Sequence, residues 1–375
     1  AFITAVQING FDLDETVYMT KSLIEDGERI EFEEKTILDK HSVGGTNGRT
    51  TMIIVPIIAA AGYLMPKTSS RSITSAAGTA DSMEVLAPVT LTLQQIKNAT
   101  KKAGGVIAWG GAVNLAPADD KIVKIEHPLS LDPHGQVIAS VMAKKASVGA
   151  KFLVIDIPVG PDVKIKTKET AQDIALKFLE VGKELGIKVE VVLTDGSKPI
   201  GNTFGPALEA KLAMQVLEGK VFDELAKKSL ELSGSLLELV GDCKHGEGYD
   251  KAKRILQSGA ALKKMQEIIR TQGGNIFSSD QIKEARLKRS FYSDSSGTIK
   301  RINVKNCIAI ARNAGAPADK EAGMLVNAMA GDMITPGQPL FEVHSNNKEK
   351  LASALRFAVG NPPVEMEKTV IEKFH

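Results

Sequence analysis

The chain has 375 residues, 43% of them hydrophobic and 5% aromatic, with 47 basic and 45 acidic side chains. That length supports two or three packed domains, and a net charge of +2 excludes a general nucleic-acid binder, which needs a basic excess or stripe. Its two cysteines, Cys243 and Cys307, form no CxxC pair, which excludes a disulfide framework or zinc ribbon and points to a reducing cytoplasm.

The chain opens on Ala1-Phe2-Ile3, with no Met and no signal-peptide pattern, and residues 1–10 read as the middle of a helix. A truncated or processed chain is therefore expected. Helical periodicity continues to residue 29 (Phe2, Ala5, Val6, Leu13, Val17, Ile24), with a turn at Asn9-Gly10 and a cap at Asp14. From residue 36 to 300 the pattern is strand alternating with helix. Ile37-Leu38 leads into a glycine loop, and residues 50–61 form a helix apolar on all sides, hence buried. The apolar run at 53–65 contains Pro56 and Gly62 and is too short to span a bilayer.

Residues 105–109 read as a buried strand ending in Gly110-Gly111. Residues 112–148 interrupt the rhythm with a helix at 136–146 that carries Ser140, Lys144 and Lys145. Strands at 152–157 and 189–193 flank a helix at 168–185, one parallel βαβ unit with a right-handed crossover. Ligands of such sheets sit beyond the C-terminal strand ends, where the glycine loops at 44–48, 110–111 and 160 fall. After residue 290, glycine-aspartate and proline-glycine turns and a helix from 348 to 359 read as a small β-rich domain. It resembles biotin- and lipoate-carrying domains but lacks a lysine at the turn, which favours a structural or oligomerising role.

The expected architecture is α/β with a small all-α lobe (1–32 plus 113–148), an α/β phosphate-binding domain with a mostly parallel mixed sheet (33–112 plus 149–290), and a C-terminal α+β domain (291–375).

Two stretches carry the chemistry. Residues 44–50 superficially suggest a nucleotide P-loop, but three residues separate Gly44 from Gly48 and the cation is Arg49, so an ATPase is rejected. What remains is a glycine turn feeding a helix N-terminus, which suits an anion and is equally readable as a tight turn without a ligand. The second stretch, 67–79, places seven hydroxyls (Thr68, Ser69, Ser70, Ser72, Thr74, Ser75, Thr79) beside Lys67 and Arg71 with no carboxylate. Helix capping accounts for Thr79 but not for the other six. Two neighbouring anion sites imply a bisphosphate or two phosphates. No HxH, HExxH or carboxylate cluster has metal-ligand spacing, so no metal is expected.

Lys40-His41-Ser42 with Gly44-Gly45, Ser69, Arg71 and Gly78-Thr79 resembles the thymidine and pyrimidine nucleoside phosphorylases. Pro66-Lys67-Thr68-Ser69-Ser70-Arg71, Ala77-Gly78-Thr79-Ala80-Asp81, Trp109-Gly110-Gly111, Asn114-Leu115-Ala116-Pro117-Ala118-Asp119-Asp120 and Leu129-Ser130-Leu131-Asp132-Pro133 narrow the resemblance to the archaeal AMP phosphorylases. It covers essentially the whole chain, although members of that family carry a further N-terminal domain. The resemblance implies a nucleoside phosphorylase II-like fold and a pentosyltransferase that splits a nucleoside 5′-monophosphate (AMP, CMP or UMP) with inorganic phosphate, releasing the base and ribose 1,5-bisphosphate. It further implies no organic cofactor, a cytoplasmic enzyme, a homodimer or higher homo-oligomer, and no nucleic-acid or membrane partner.

Carried over, the resemblance puts Lys40, Ser42, Thr51, Ser69 and Thr79 around the attacking phosphate. Gly45, Ser70, Arg71, Ser72, Ile73, Thr74, Ser75, Thr79, Ser140 and Lys164 would contact the nucleotide. Asp132 would give the leaving base its proton; read without the resemblance it is a turn or N-cap residue. His41 reads as a base contact or as a buried structural histidine. Lys144, one turn after Ser140, shares its face as a second candidate base contact, and Lys145 is expected to be a solvated neighbour. Ile125-Glu126-His127-Pro128 stands where nucleoside phosphorylases have an arginine that grips a pyrimidine. The alternatives are a nucleoside phosphorylase indifferent to the 5′-phosphate, a phosphoribosyltransferase, disfavoured by the carboxylate-poor loops, and a non-catalytic nucleotide binder.

Overall fold

Helix α1 (Phe2–Asn9) and helix α2 (Leu13–Glu25) lead the chain in a computed structural model that describes residues 1–33, 36–45, 47–72, 75–129, 131 and 133–367. Helix α2 is capped by Asp12 and not by Asp14. The Asp12 carboxylate accepts from the Glu15 N–H at 2.8 Å, and Glu15 returns the bond to the Asp12 N–H at 2.9 Å.

There follow β1 (Leu38–Ser42), α3 (Thr51–Ala60), β2 (Met65–Ser69), α4 (Thr79–Met83), α5 (Leu93–Ala103), β3 (Gly105–Trp109), α6 (Pro117–Leu129), α7 (His134–Ser147), β4 (Phe152–Val159), α8 (Lys168–Glu184) and β5 (Lys188–Asp195). Strands β1, β4 and β5 pair in parallel in the order β1-β4-β5, and β2 pairs in parallel with β3. A parallel bridge from Ile37 to Leu64 joins the two groups. All five strands therefore end on one edge. Along β4, Val154 packs into a core with Leu38, Met52 and Ile107, while Leu153, Ile155 and Ile157 pack on the other face with Ile138, Phe178 and Val181. A sheet covered on both faces explains why its strands read as continuous apolar runs.

The alternation expected as far as residue 300 ends early. After the short β6 (Thr203–Phe204) come four helices, α9 (Pro206–Leu217), α10 (Glu224–Leu239), α11 (Gly248–Gln257) and α12 (Ala260–Thr271). Their apolar positions, such as Ala252 and Leu256 or Ala261, Met265, Ile268 and Ile269, recur every three or four residues and close the core over α3.

The C-terminal region holds β7 (Leu287–Tyr292), β8 (Gly297–Ile302), α13 (Val304–Ala314), β9 (Gly323–Val326), β10 (Met333–Ile334), β11 (Pro339–Ser345), α14 (Lys348–Gly360) and β12 (Val364–Met366). Antiparallel sheets in the orders β6-β9-β11-β7 and β10-β8-β12 pack on α13 and α14 around Phe204, Cys307, Met324, Phe341 and Val343. Strand β7 straddles the expected boundary at 290/291, and β6 reaches into this sheet from the preceding region.

Helices α2 and α7 share a small core of Leu23, Ile24, Ala139 and Ala143. The segments that join them to the sheet are tied to one another. The Glu28 N–H donates to Asn114 O at 2.7 Å, the Ile30 N–H to Ser147 O at 2.8 Å, and the Ser147 hydroxyl to Leu115 O at 3.1 Å. No helix among the described residues is long and apolar enough to cross a membrane.

Candidate active site

Five residues beyond the Ile37–Leu64 bridge, β1 and β2 reach their C-terminal ends at Ser42 and Ser69. The first loop leaves β1 through Gly44, whose φ of 70° is in the left-handed region. A Cβ on Gly44 would lie 2.5 Å from the Cβ of Lys164, so the Lys164 stem rests directly on this loop. The loop is anchored from below. Asn47 donates to Gly201 O at 3.1 Å and accepts from the Ile200 N–H at 3.0 Å. The buried Glu209 accepts from Arg49 Nε at 2.6 Å and from the Gly48 N–H at 3.1 Å.

Beneath the loops lies a buried charge cluster. The Asp39 carboxylate accepts from Lys67 Nζ at 3.1 Å, Lys145 Nζ at 2.7 Å and its neighbour's N–H at 2.6 Å. Burial would raise the Asp39 pKa, but Lys145 and Lys67 outweigh it and hold the carboxyl below its ordinary value. Lys145 is 2% exposed, which corrects its reading as a solvated neighbour. Lys67, read as a loop cation, is 4% exposed on β2. Lys40 reaches Ser42 Oγ and Thr50 Oγ1, the latter at 2.9 Å, and burial, partly opposed by Asp156, lowers its pKa to about 8. His41 is partly exposed, and burial together with Lys145, Lys67 and Lys40 pushes its pKa well below normal, which makes it a neutral imidazole. Thr51 is buried in the first turn of α3.

The second loop runs from Ser69 to Thr79, the first residue of α4. Asp81 organises it by accepting from the Gly78 N–H at 2.8 Å and the Ser72 N–H at 2.7 Å. Gly78 is required by space, since a Cβ there would sit 2.5 Å from Ser70 O and 2.6 Å from the Arg71 carbonyl carbon. Ser75 donates to Ala77 O at 2.8 Å, Ser72 donates to Ser75 O, and Ser70 is exposed. Arg71 is held by Glu84 through two bonds of 2.6 and 2.7 Å, by Asp81 at 3.2 Å, and over the Trp109 ring. Those contacts engage three of its five N–H donors. The carboxylates missing from residues 67–79 are supplied by α4 and the residue after it.

On α7, Ser140 donates to Asp119 Oδ2 at 2.7 Å and Lys144 pairs with the same oxygen at 2.6 Å. Burial would lower the Lys144 pKa, but Asp119 and Asp120 raise it above normal, so it stays charged. The shared face expected of Ser140 and Lys144 is present, with Asp119 of α6 at its centre. Asp132, Ile73 and Thr74 lie outside the described residues. Asp39, Asp156, Glu209 and Lys228 carry no local mark of these roles, because each acts through partners distant along the chain, and Asp119 is marked only as part of the motif at 114–120.

A parallel α/β sheet gathers cations, hydroxyls and glycine turns at its C-terminal edge, and residues 34–262 match the glycosyl transferase family, a/b domain, which makes the chain a transferase. Its fold is similar to that of anthranilate phosphoribosyltransferase from Thermus thermophilus, with a TM-score of 0.62 at 18% identity, covering 72% of this chain and 88% of that one. The chain is 45% identical over its full length to AMP phosphorylase 1 of Archaeoglobus fulgidus and 46% identical to AMP phosphorylase of Thermococcus sibiricus, spanning 74% and 75% of those proteins. It belongs to the AMP phosphorylase family, and its class is that of the pentosyltransferases.

Proposed function

We propose that the chain catalyses the phosphorolysis of nucleoside 5′-monophosphates, converting AMP and inorganic phosphate to adenine and ribose 1,5-bisphosphate, with CMP and UMP as further substrates. The observation that carries this reading is the pair of donor-rich loops at the ends of adjacent strands, enough for two oxyanions. In this reading Lys40, Ser42, Thr51, Ser69 and Thr79 hold the attacking phosphate. Gly45, Ser70 through Ser75, Thr79, Ser140 and Lys164 hold the nucleotide, and His41 and Lys144 are the candidate base contacts. Arg71 serves the nucleotide both by keeping the loop in shape and with its remaining donors. A phosphate oxygen bonds to C1′ as the N-glycosidic bond breaks, and Asp132 gives its proton to the departing base. Donors fixed before the reaction stabilise charge without reorganising. The enzyme works in the cytoplasm as a homodimer or larger assembly.

Initial rates with AMP and adenosine at equal concentration and saturating phosphate test the proposal. Each hydrogen bond to a charged group contributes about 1.5–3 kcal/mol, so AMP is expected to be cleaved about ten- to a hundredfold faster. Equal kcat/KM for the two would leave a nucleoside phosphorylase.

Substituting Gly78 by Ala tests the second loop. The added methyl meets backbone and not a yielding side chain, so the 70–78 turn must open. A loss of about 1–3 kcal/mol in stability is expected from such overpacking, with a higher KM for AMP. Unchanged melting temperature and KM would show that the loop's shape does not matter.

A further inference from the structure

Behind Ser42 lies a second buried carboxylate that the proposed reaction does not touch. Asp156 on β4 is fully buried, level with Ser42 in the β1–β4 register. It accepts from the Ser42 hydroxyl at 2.5 Å, from Thr194 of β5 at 2.6 Å, and from Lys228 of α10 at 3.0 Å. Lys228 also donates to the Thr194 hydroxyl at 3.0 Å.

The donor count is restrictive. A serine hydroxyl has one proton and two lone pairs. The proton of Ser42 goes to Asp156 and one lone pair accepts from Lys40, so its orientation is set from behind. Lys40 itself gives protons to Ser42 and Thr50 and has one left. Neither residue is free to turn toward an arriving anion in another way while Asp156 is charged and in place.

We infer that Asp156, together with Thr194 and Lys228, is a positioning cluster that fixes the Ser42 hydroxyl as an acceptor for Lys40 and so aims the remaining Lys40 proton at the attacking phosphate. This rests on the reading that Lys40 holds phosphate. Asp156 acts through Ser42 and Lys40 and does not contact the reacting atoms. Lys40 faces Asp156 on β4, Lys228 on α10, Arg49 before α3, Lys67 on β2 and Asp39 on its own strand. Among these, the Asp156 carboxylate favours the charged amine, whereas Lys228 and Arg49 oppose it.

The test uses Asp156→Asn and Lys228→Met in the full chain, with KM for phosphate, KM for AMP and the pH profile of kcat/KM for phosphate. Asp156→Asn should raise KM for phosphate about tenfold, the scale of one lost charge-assisted contact, while KM for AMP stays within about twofold. Removing the carboxylate should move the alkaline limb to lower pH, because Lys40 then loses its proton more easily. Lys228→Met removes a like charge and should move that limb to higher pH. Opposite displacements are not produced by general loosening, and Lys228→Met keeps the question answerable if Asp156→Asn fails to fold. Equal increases in both KM values with an unmoved alkaline limb would overturn the inference. Calorimetric titration with inorganic phosphate alone separates the two readings. Phosphate binding weakened by Asp156→Asn in a protein that does not cleave AMP sinks the proposed reaction and keeps the cluster's role; AMP cleavage with unaltered phosphate binding does the reverse.

Discussion

Asp132→Asn is expected to lower kcat for AMP phosphorolysis by about two to four orders of magnitude, the usual contribution of a positioned general acid, while AMP and phosphate still bind. Adenine leaves poorly as an anion, and the phosphate nucleophile cannot deliver a proton to the far side of the bond it is breaking. Asparagine matches aspartate in size and keeps a polar side chain, so the exchange removes proton donation with little change of volume. The prediction is read as kcat falling with KM for AMP little changed, together with loss of the acid-dependent limb of the pH–rate profile. A folded variant with near wild-type turnover would reduce Asp132 to a turn residue and send the search for the proton donor to Lys144 or His41. His41 is the weaker of those two, since burial and the surrounding lysines keep it neutral.

What the sequence made legible was what periodicity and glycine placement encode locally. The βαβ unit from β4 through α8 to β5 was readable because its apolar runs are long and its helix has a clear buried stripe. The buried α3 and the strand ending at Trp109 were readable for the same reason. Strand β2 was read as part of a hydroxyl-rich loop, since Lys67, Thr68 and Ser69 look solvent-facing until their pairing with Ile107, Ala108 and Trp109 is known. Helices α9 to α12 escaped because the alternation before them was extrapolated. The candidate phosphate-loop residues were visible as composition, but the carboxylates that orient them were not. Asp39 meets Lys145 across 106 positions and Ser42 meets Asp156 across 114. A charge whose partner is that distant has no local signature, so Lys145 reads as a surface residue from its neighbours in sequence although it is buried.

Asp39→Asn is the stability counterpart, with an expected loss of about 3–5 kcal/mol at neutral pH, the range for breaking a buried ion pair from one side. The wild-type carboxylate is 0% exposed and answers Lys67 and Lys145, which are 4% and 2% exposed. The amide leaves both ammonium groups in low dielectric without a counter-charge. The pH dependence follows from the sign of the lysine shift. Burial already lowers the Lys67 pKa in the wild type despite Asp39, and losing Asp39 lowers it further. The unfolded chain then binds more protons than the folded one between the lowered folded value and the ordinary lysine value near about 10.4. Stability of the variant therefore rises with pH across that window, whereas the wild type gains in the same way only above its own Lys67 value of about 7, so the deficit is widest at mildly acidic pH, narrows as pH rises to about 7 and is level above it. Urea unfolding at both ends of the range measures this. Adding Lys145→Met to Asp39→Asn should restore part of the loss by removing one stranded charge, while α7 stays on the sheet through Ile138, Val141 and Met142. A deficit independent of pH, unrelieved by the second substitution, would mean that Asp39 contributes packing and not charge balance. Lys67 and Lys145 would then need another source of compensation.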